Sequence, residues 1–324
     1  MKGRSFALLV GCMMMFSVIL LIVSDYLDSY TEPNLMTTDS VEVIKNDLFD
    51  LTEDQGKLTI RYLYLDAEKK SGDAIVIKTP TGKVVLIDAG IVTTGLQVND
   101  YLDRLQINKI DMAIATHPHY DHIGGYLTLL HEKTVDQLLM PNIDHTTDTY
   151  QQFSNLIQEK DVPTKFLYAG DQIILEEGIR IDVISPERKA IALAKEQKLS
   201  TTEINNLAFV LKLTYNETTF LFTSDIYKKQ EDLLLQTKPN LLRADFLHAP
   251  HHGDHTSSSQ AFINKVNPQF AVMSSNILQS KKVIKRYKQS DVNVFTTSRI
   301  GNVKIESDGV RIKVTPEYVR AYTK

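Results

Sequence analysis

The sequence predicts an α/β fold in which two β-sheets face each other with helices on the outside. Apolar strand-like segments arrive in groups and are then followed by alternating strand and helix segments, and no exact internal repeat argues for a solenoid or propeller. A third observation places a site on this frame. The apolar segment Ile110-Asp111-Met112-Ala113-Ile114-Ala115 reads as a buried strand that runs into His117-Pro118-His119-Tyr120-Asp121-His122, after which Gly124-Gly125 leads into a helix through His131.

With 324 residues, 43% hydrophobic and 23% charged, the chain is long enough for one large α/β domain or two smaller ones. A formal net charge of -4 gives no broad basic field, so a nucleic-acid partner would have to be held by a local patch or by metals. Cys12 is the single cysteine, which excludes a disulfide within the chain and a thiolate metal site downstream.

Residues 1–30 read as a membrane anchor or uncleaved signal segment. Lys2 and Arg4 precede an apolar run from Phe6 to Val23, and Ser24-Asp25-Tyr26-Leu27-Asp28 then turns polar and acidic. At about 1.5 Å per residue that run is roughly 27 Å long, enough to cross a hydrocarbon core. The charge bias keeps the N-terminus in the cytoplasm and sends the rest outward, predicting a single-pass protein of the cell membrane. Cleavage to a secreted form is the alternative, and Leu9-Val10-Gly11-Cys12 is similar to a lipobox, although the apolar run continues well past Cys12. Residues 31–57, rich in Thr, Asp, Glu and Asn, read as a polar linker, and the catalytic domain is predicted over 58–324.

Within that domain, residues 58–65 alternate as a strand, 74–78 form another, and Thr79-Pro80-Thr81-Gly82 turns the chain into a third at 83–87. A helix follows near 96–105, then the strand that ends in the histidine cluster. Strands at 179–184, 207–215 and 218–222, a helix at 227–235, and a strand at 246–249 repeat the rhythm in the second half.

His117, His119, Asp121 and His122 lie within six residues on a loop that can aim several side chains at one point. Neutral imidazole and carboxylate are the ligands that zinc and similar divalent ions prefer, and several from one loop suit a catalytic site with an open position. Two further strands end the same way, one in Asp225 and one in His251-His252. Each is weak alone, since an aspartate at a strand end often caps a helix. Together the three strand ends predict two adjacent metals.

The pattern His117-Pro118-His119-Tyr120-Asp121-His122, with Leu86-Ile87-Asp88-Ala89-Gly90 before it, resembles the HxHxDH motif set of the metallo-β-lactamase superfamily over about residues 58–310. Ser71-Gly72-Asp73, Asn205-Asn206 and Pro250-His251-His252-Gly253 followed by Thr256-Ser257-Ser258-Ser259 are similar to the branch that holds the hydrolase domain of ComEC competence proteins and the phosphorylcholine esterases of Gram-positive surfaces. The resemblance implies a four-layer αββα sandwich. It also implies that His117 and His119 hold one divalent ion, Asp121, His122 and His252 the second, and Asp225 both. Zinc is the metal expected, with manganese as the alternative. Asp88 is expected to orient the first loop by hydrogen bonds. A third histidine for the first metal is missing from its usual place: His131 reads as an exposed helix residue and His145 as part of a surface loop.

The resemblance further implies a phosphodiesterase whose nucleophile is a hydroxide between the metals, oriented by Asp121. His251 is expected to donate to a phosphate oxygen, and Asn206, Thr256, Ser257 and Ser258 to contact substrate. Ser259 belongs to the same run, which also reads as a solvated turn. The partners expected are a phosphodiester (teichoic acid, phosphorylcholine, DNA or RNA) and the membrane, with no obligate protein partner. Lys281, Lys282, Lys285, Arg286 and Lys288 form a basic stretch that reads as a solvated helix face or a polyanion patch. A ComEC-like nuclease and a non-catalytic metal- or ligand-binding surface module stand as alternatives.

Overall fold

A computed structural model of the protein describes residues 41–322. The expected membrane segment and the first part of the linker lie outside the described residues, and no helix among those described is long and apolar enough to cross a membrane. One unit spans Val43–Val319.

Two large sheets form the unit. In chain order the strands are β1 (Leu58–Tyr62), β2 (Ala74–Lys78), β3 (Val84–Ala89), β4 (Met112–Ile114), β5 (Leu138–Met140), β6 (Thr164–Phe166), β7 (Gln172–Glu176), β8 (Ile179–Ser185), β9 (Val210–Tyr215), β10 (Thr218–Phe222), β11 (Phe246–His248), β12 (Phe270–Met273), β13 (Asn293–Thr296), β14 (Val303–Ser307) and β15 (Ile312–Pro316). The first sheet runs β15-β14-β1-β2-β3-β4-β5-β6 and the second β7-β8-β9-β10-β11-β12-β13. Each is antiparallel at one end and parallel at the other, the change falling at β3 in the first sheet and at β10 in the second.

The layering follows from side-chain alternation. Along β3, Val85 and Ile87 face the second sheet, while Val84 and Leu86 pack beneath helices. Between the sheets, Ile60, Tyr62, Ile75 and Ile77 meet Leu211, Phe220, Phe222 and Phe246, all buried. Burying each such side chain contributes about 1.5–3 kcal/mol. Helices α1 (Gly95–Arg104), α3 (Tyr126–Glu132) and α4 (Asp148–Glu159) cover the outside of the first sheet through Val98, Leu102, Leu129 and Phe153. Helices α7 (Lys228–Thr237), α8 (Gln260–Val266) and α9 (Lys281–Gln289) cover the second through Leu234, Phe262 and Tyr287. The result is the expected αββα sandwich. Three short helices lie in the connections, α2 (Tyr120–Ile123) between β4 and α3, and α5 (Arg188–Ala194) and α6 (Thr201–Asn206) between β8 and β9.

The domain begins earlier than residue 58. Leu48 and Phe49 are buried in the layer under α1, so residues 43–57 belong to the packed unit and not to a free tether. Their polar look misleads because their charges are paired inward. Arg61 places Nη2 2.7 Å from Asp54 Oδ2 and donates Nε to Leu48 O at 2.8 Å, while Lys304 reaches Asp54 Oδ1 at 2.7 Å.

Candidate metal centre

The parallel strands carry the site at their C-terminal ends, where open α/β sheets commonly bind ligands. Asp88 closes β3, the histidine loop follows β4, Asp225 follows β10, His252 follows β11, and Ser274 follows β12. Because β3 and β4 are neighbours in one sheet and β10, β11 and β12 in the other, residues far apart in sequence meet at one edge of the sandwich. The backbone there is strained. Asp88, Ser224, His251 and His252 have φ of 56°, 47°, 51° and 56°, a left-handed conformation that costs non-glycine residues about 1–3 kcal/mol each and clusters at functional sites.

The imidazoles of His117, His122 and His252 are anchored through Nδ1 and present Nε2 inward. His122 Nδ1 lies 2.7 Å from Asp88 Oδ2, whose Oδ1 accepts from Thr116 N at 2.8 Å. His117 Nδ1 lies 3.1 Å from the Thr116 hydroxyl and 3.2 Å from that of Ser224. His252 Nδ1 lies 2.9 Å from Ser274 O and 3.2 Å from Asp73 Oδ1. On the inner side, Asp225 Oδ2 lies 3.4 Å from His122 Nε2 and Asp225 Oδ1 3.2 Å from His252 Nε2. Asp121 Oδ2 stands 3.9 and 3.8 Å from the same two nitrogens. The His117 ring is 4.7 Å from that of His119 and 4.0 Å from that of His122.

All of these side chains are buried, yet Nε2 of His117, His119, His122 and His252 and Oδ1 of Asp225 make no hydrogen bond. Burying that many polar atoms without partners is costly, on the order of 1–3 kcal/mol each. A cation among them removes the cost, and imidazole with carboxylate is a donor set that suits zinc. Asp73, His122, Asp225 and His252 have donor atoms within 4.8 Å of one another. Asp73, however, pairs its Oδ1 with Nδ1 of His252 at 3.2 Å, on the far side of that ring, and its Oδ2 lies 3.3 Å from His248 Nε2, so it stands behind the centre and positions His252.

Electrostatics divide the histidines. Burial and the neighbouring rings of His122 and His119 push His117 well below the ordinary imidazole value, and burial with His122 pushes His119 down to about 4. Burial also opposes charge on His122, but Asp225, Asp88 and Asp121 outweigh it and raise that ring well above the ordinary range. His252 is raised to about 9, the carboxylates of Asp225 and Asp73 overcoming burial. Asp225 is held well below the usual carboxylate range by His252 and His122 in spite of its burial.

Several residues expected to contact substrate do other work. Ser257 and Ser258 are buried. The first donates its hydroxyl to Ile226 O, and the second pairs with the Tyr287 hydroxyl. Glu231 accepts from the backbone N–H groups of Ser258 and Ser259, fixing this loop from below. Asn206 Oδ1 accepts from Tyr227 N, and the Thr256 hydroxyl lies 2.7 Å from His251 Nδ1, so these two side chains set the surroundings of His251. His251 stands at the mouth, its Nε2 3.7 Å from Asp225 Oδ2 and its ring 4.7 Å from that of Tyr227. His131 is exposed, whereas His145, expected on a surface loop, is half-buried with its ring 5.6 Å from that of His119. The basic stretch is helix α9, with Val283, Ile284 and Tyr287 buried and Arg286 donating to Ser257 O and Ser258 O.

Lys70, Asp73, Thr116, Ser224 and Ser274 were not anticipated. Only Asp73 carried a signal, as part of Ser71-Gly72-Asp73. Gly72 has a φ of 74°, and a Cβ there would lie 1.6 Å from Asp121 O, so the loop bearing Asp73 touches the metal loop backbone to backbone. The variant Gly72→Ala is therefore expected to lose at least about 3 kcal/mol of stability through clash and backbone strain together. Chemical denaturation of the metal-free protein checks this, and an unchanged midpoint would mean that the two loops separate freely.

Comparison with known proteins agrees with this geometry. The family described as the Metallo-beta-lactamase superfamily matches residues 68–275. The chain belongs to the metallo-β-lactamase superfamily. Members of it are metal-dependent hydrolases. ComE operon protein 3 of Bacillus subtilis is 24% identical over 209 residues, 63% of this chain and 25% of the relative. Recombination protein 2 of Haemophilus influenzae is 23% identical over 256 residues, 74% of this chain and 29% of the relative. This metallo-β-lactamase chain thus spans between a quarter and a third of those curated relatives. A long form RNase Z from yeast shares the fold with a TM-score of 0.52 at 8% identity, over 81% of this chain and 50% of that one.

Proposed function

We propose that the protein is a binuclear metal-dependent phosphodiesterase held at the outer face of a membrane by its N-terminal segment. The observation that carries the metal part is the convergence of four unpartnered imidazole Nε2 atoms and Asp225 Oδ1 in one buried centre. His117 and His119 would hold one ion, Asp121, His122 and His252 a second, and Asp225 both, with zinc suited to the donors and manganese the alternative. His145, beside His119, is the residue best placed to extend the first site. When bound, the ions would lower the pKa of a water and offset charge on a phosphoryl oxygen.

The remaining steps belong to the chain. Asp88, Asp73, Thr116 and Ser224 hold the ligand rings in one orientation, which limits the reorganisation that binding requires. Asp121 would orient the attacking water. His251, fixed through Nδ1 by Thr256, presents Nε2 at the mouth, where it can donate to a substrate oxygen. A relative named for recombination supports a nucleic-acid diester among the substrates, and teichoic acid and phosphorylcholine diesters are the other candidates. The outward location rests on Lys2 and Arg4 ahead of the apolar run and the acidic residues after it. Fractionation of cells expressing the full chain checks it, and recovery in the cytoplasmic fraction would overturn it.

Hydrolysis of bis-p-nitrophenyl phosphate with added zinc or manganese is the direct test. Wild type is expected to turn over, and Asp121→Ala to lose at least about 100-fold, the upper end of the effect of an orienting partner alone. Single-stranded DNA, RNA, p-nitrophenyl phosphorylcholine and teichoic acid then define the substrate. Wild type and variant equally inert toward every diester and metal would leave a binding module.

A further inference from the structure

We propose that Lys70 is the residue with which this cleft holds the negative charge of its substrate, a role that rests on the phosphodiesterase reading above. Lys70 lies in the loop between β1 and β2, far in sequence from every expected ligand. Its Nζ stands 3.8 Å from Asp121 Oδ2 and 3.9 Å from Asp225 Oδ2. Among the described residues it is the one Lys or Arg within 4 Å of either carboxylate.

The loop is built to put it there. Asn276 grips it from the end of β12, donating Nδ2 to Ala67 O at 2.7 Å and to Lys69 O at 2.8 Å, while Asn276 Oδ1 accepts from Ser71 N at 3.0 Å. Three hydrogen bonds from one side chain thus fix the backbone on both sides of Lys70. The Lys70 side chain is 24% exposed against 8% and 3% for the two carboxylates, so it sits at the lip with the acids beneath.

Neither contact is short enough for a hydrogen bond. The ammonium donors are therefore not spent on the acids, and the carboxylate oxygens stay open on their inner side. A phosphodiester carries one negative charge over two non-bridging oxygens, and an ammonium at the mouth of a largely desolvated cleft attracts it as a point charge. The same placement sets Lys70 against a metal ion, because both cations draw on Asp121 and Asp225. Removing the lysine charge should therefore tighten metal and loosen anion. A residue that merely supports the loop would weaken both.

The test uses the full chain as wild type, Lys70→Met and Lys70→Arg. Zinc affinity is measured by competition with a chromogenic chelator, and inorganic phosphate affinity by calorimetry on the zinc-loaded protein. Lys70→Met is expected to bind zinc about tenfold more tightly and phosphate at least about tenfold more weakly, with Lys70→Arg near wild type in both because the charge is kept. With bis-p-nitrophenyl phosphate the same loss is read as a raised KM with kcat less affected. Weaker zinc binding in Lys70→Met, or phosphate affinity equal to wild type, overturns the proposal. A wild type that hydrolyses no diester, while Lys70→Met still loses phosphate and gains zinc, overturns the phosphodiesterase reading and leaves Lys70 as the anion-binding residue.

Discussion

Asp225→Ala is expected to abolish turnover, with a fall in kcat/KM of at least about 100-fold, and to leave the protein with less than half of its bound metal. Asp225 faces both halves of the centre: Oδ1 lies 3.2 Å from His252 Nε2 and Oδ2 3.4 Å from His122 Nε2. No other carboxylate of the site replaces it. Asp88 and Asp73 are occupied on the far nitrogens of His122 and His252, and Asp121 stands 3.8–3.9 Å from the inner ones. The metal-free fold also suffers, because His122 and His252 lose the carboxylate that most favours their charged forms. Breaking one partner out of a buried charge cluster costs about 3–5 kcal/mol. Metal content by mass spectrometry, together with a denaturation curve, separates the two effects. A variant that kept two equivalents of zinc and wild-type turnover would remove Asp225 from the centre.

The side chains that gather at this site were legible because their chemistry is written in residue type and strand-end position. Histidines and an aspartate packed into one loop after an apolar strand have few other uses, and Asp225 and His252 end strands of the same kind. What surrounds them was not legible. Lys70 and Asn276 are brought together only by the facing of two sheets, and neither belongs to a run that marks it. Ser257 and Ser258 read as hydroxyls open to substrate, yet Ile226 O takes the first hydroxyl while Glu231 and Tyr287 hold Ser258 in the body of the domain, a burial that a polar run cannot reveal. Helix α4 was not anticipated, although its sequence carries a start signal and an apolar face. The Thr147 side chain accepts from Tyr150 N at its start, and Phe153 and Leu156 face the core. Residues 43–57 passed as linker because Asp54 looks solvated until Arg61 and Lys304 are seen to close on it.

Loading the metal-free protein with zinc at pH 7 is expected to release protons, on the order of two per chain, and to invert its response to pH. Without metal, His252 titrates at about 9 and His122 is also raised well above its ordinary value of 6.5, so both rings are cations at neutral pH. A metal accepts only the neutral ring, and binding must expel what the carboxylates hold. The sign for stability follows from the raised folded values. The stabilisation these two rings contribute to the metal-free fold is complete below about 6.5, the unfolded value; the share of His252 is lost as pH rises through about 9, and that of His122 as pH rises through its own raised value. The melting temperature of chelator-treated protein should therefore fall across that window, while apparent zinc affinity rises across it because fewer protons have to leave. Calorimetric zinc titrations in two buffers of different ionisation enthalpy count the protons, and thermal melts with and without chelator give the slopes. Zinc binding with no proton release at pH 7, alongside a flat metal-free melting profile between pH 6.5 and 9.5, would mean that the rings are neutral and that the carboxylates do not hold them charged.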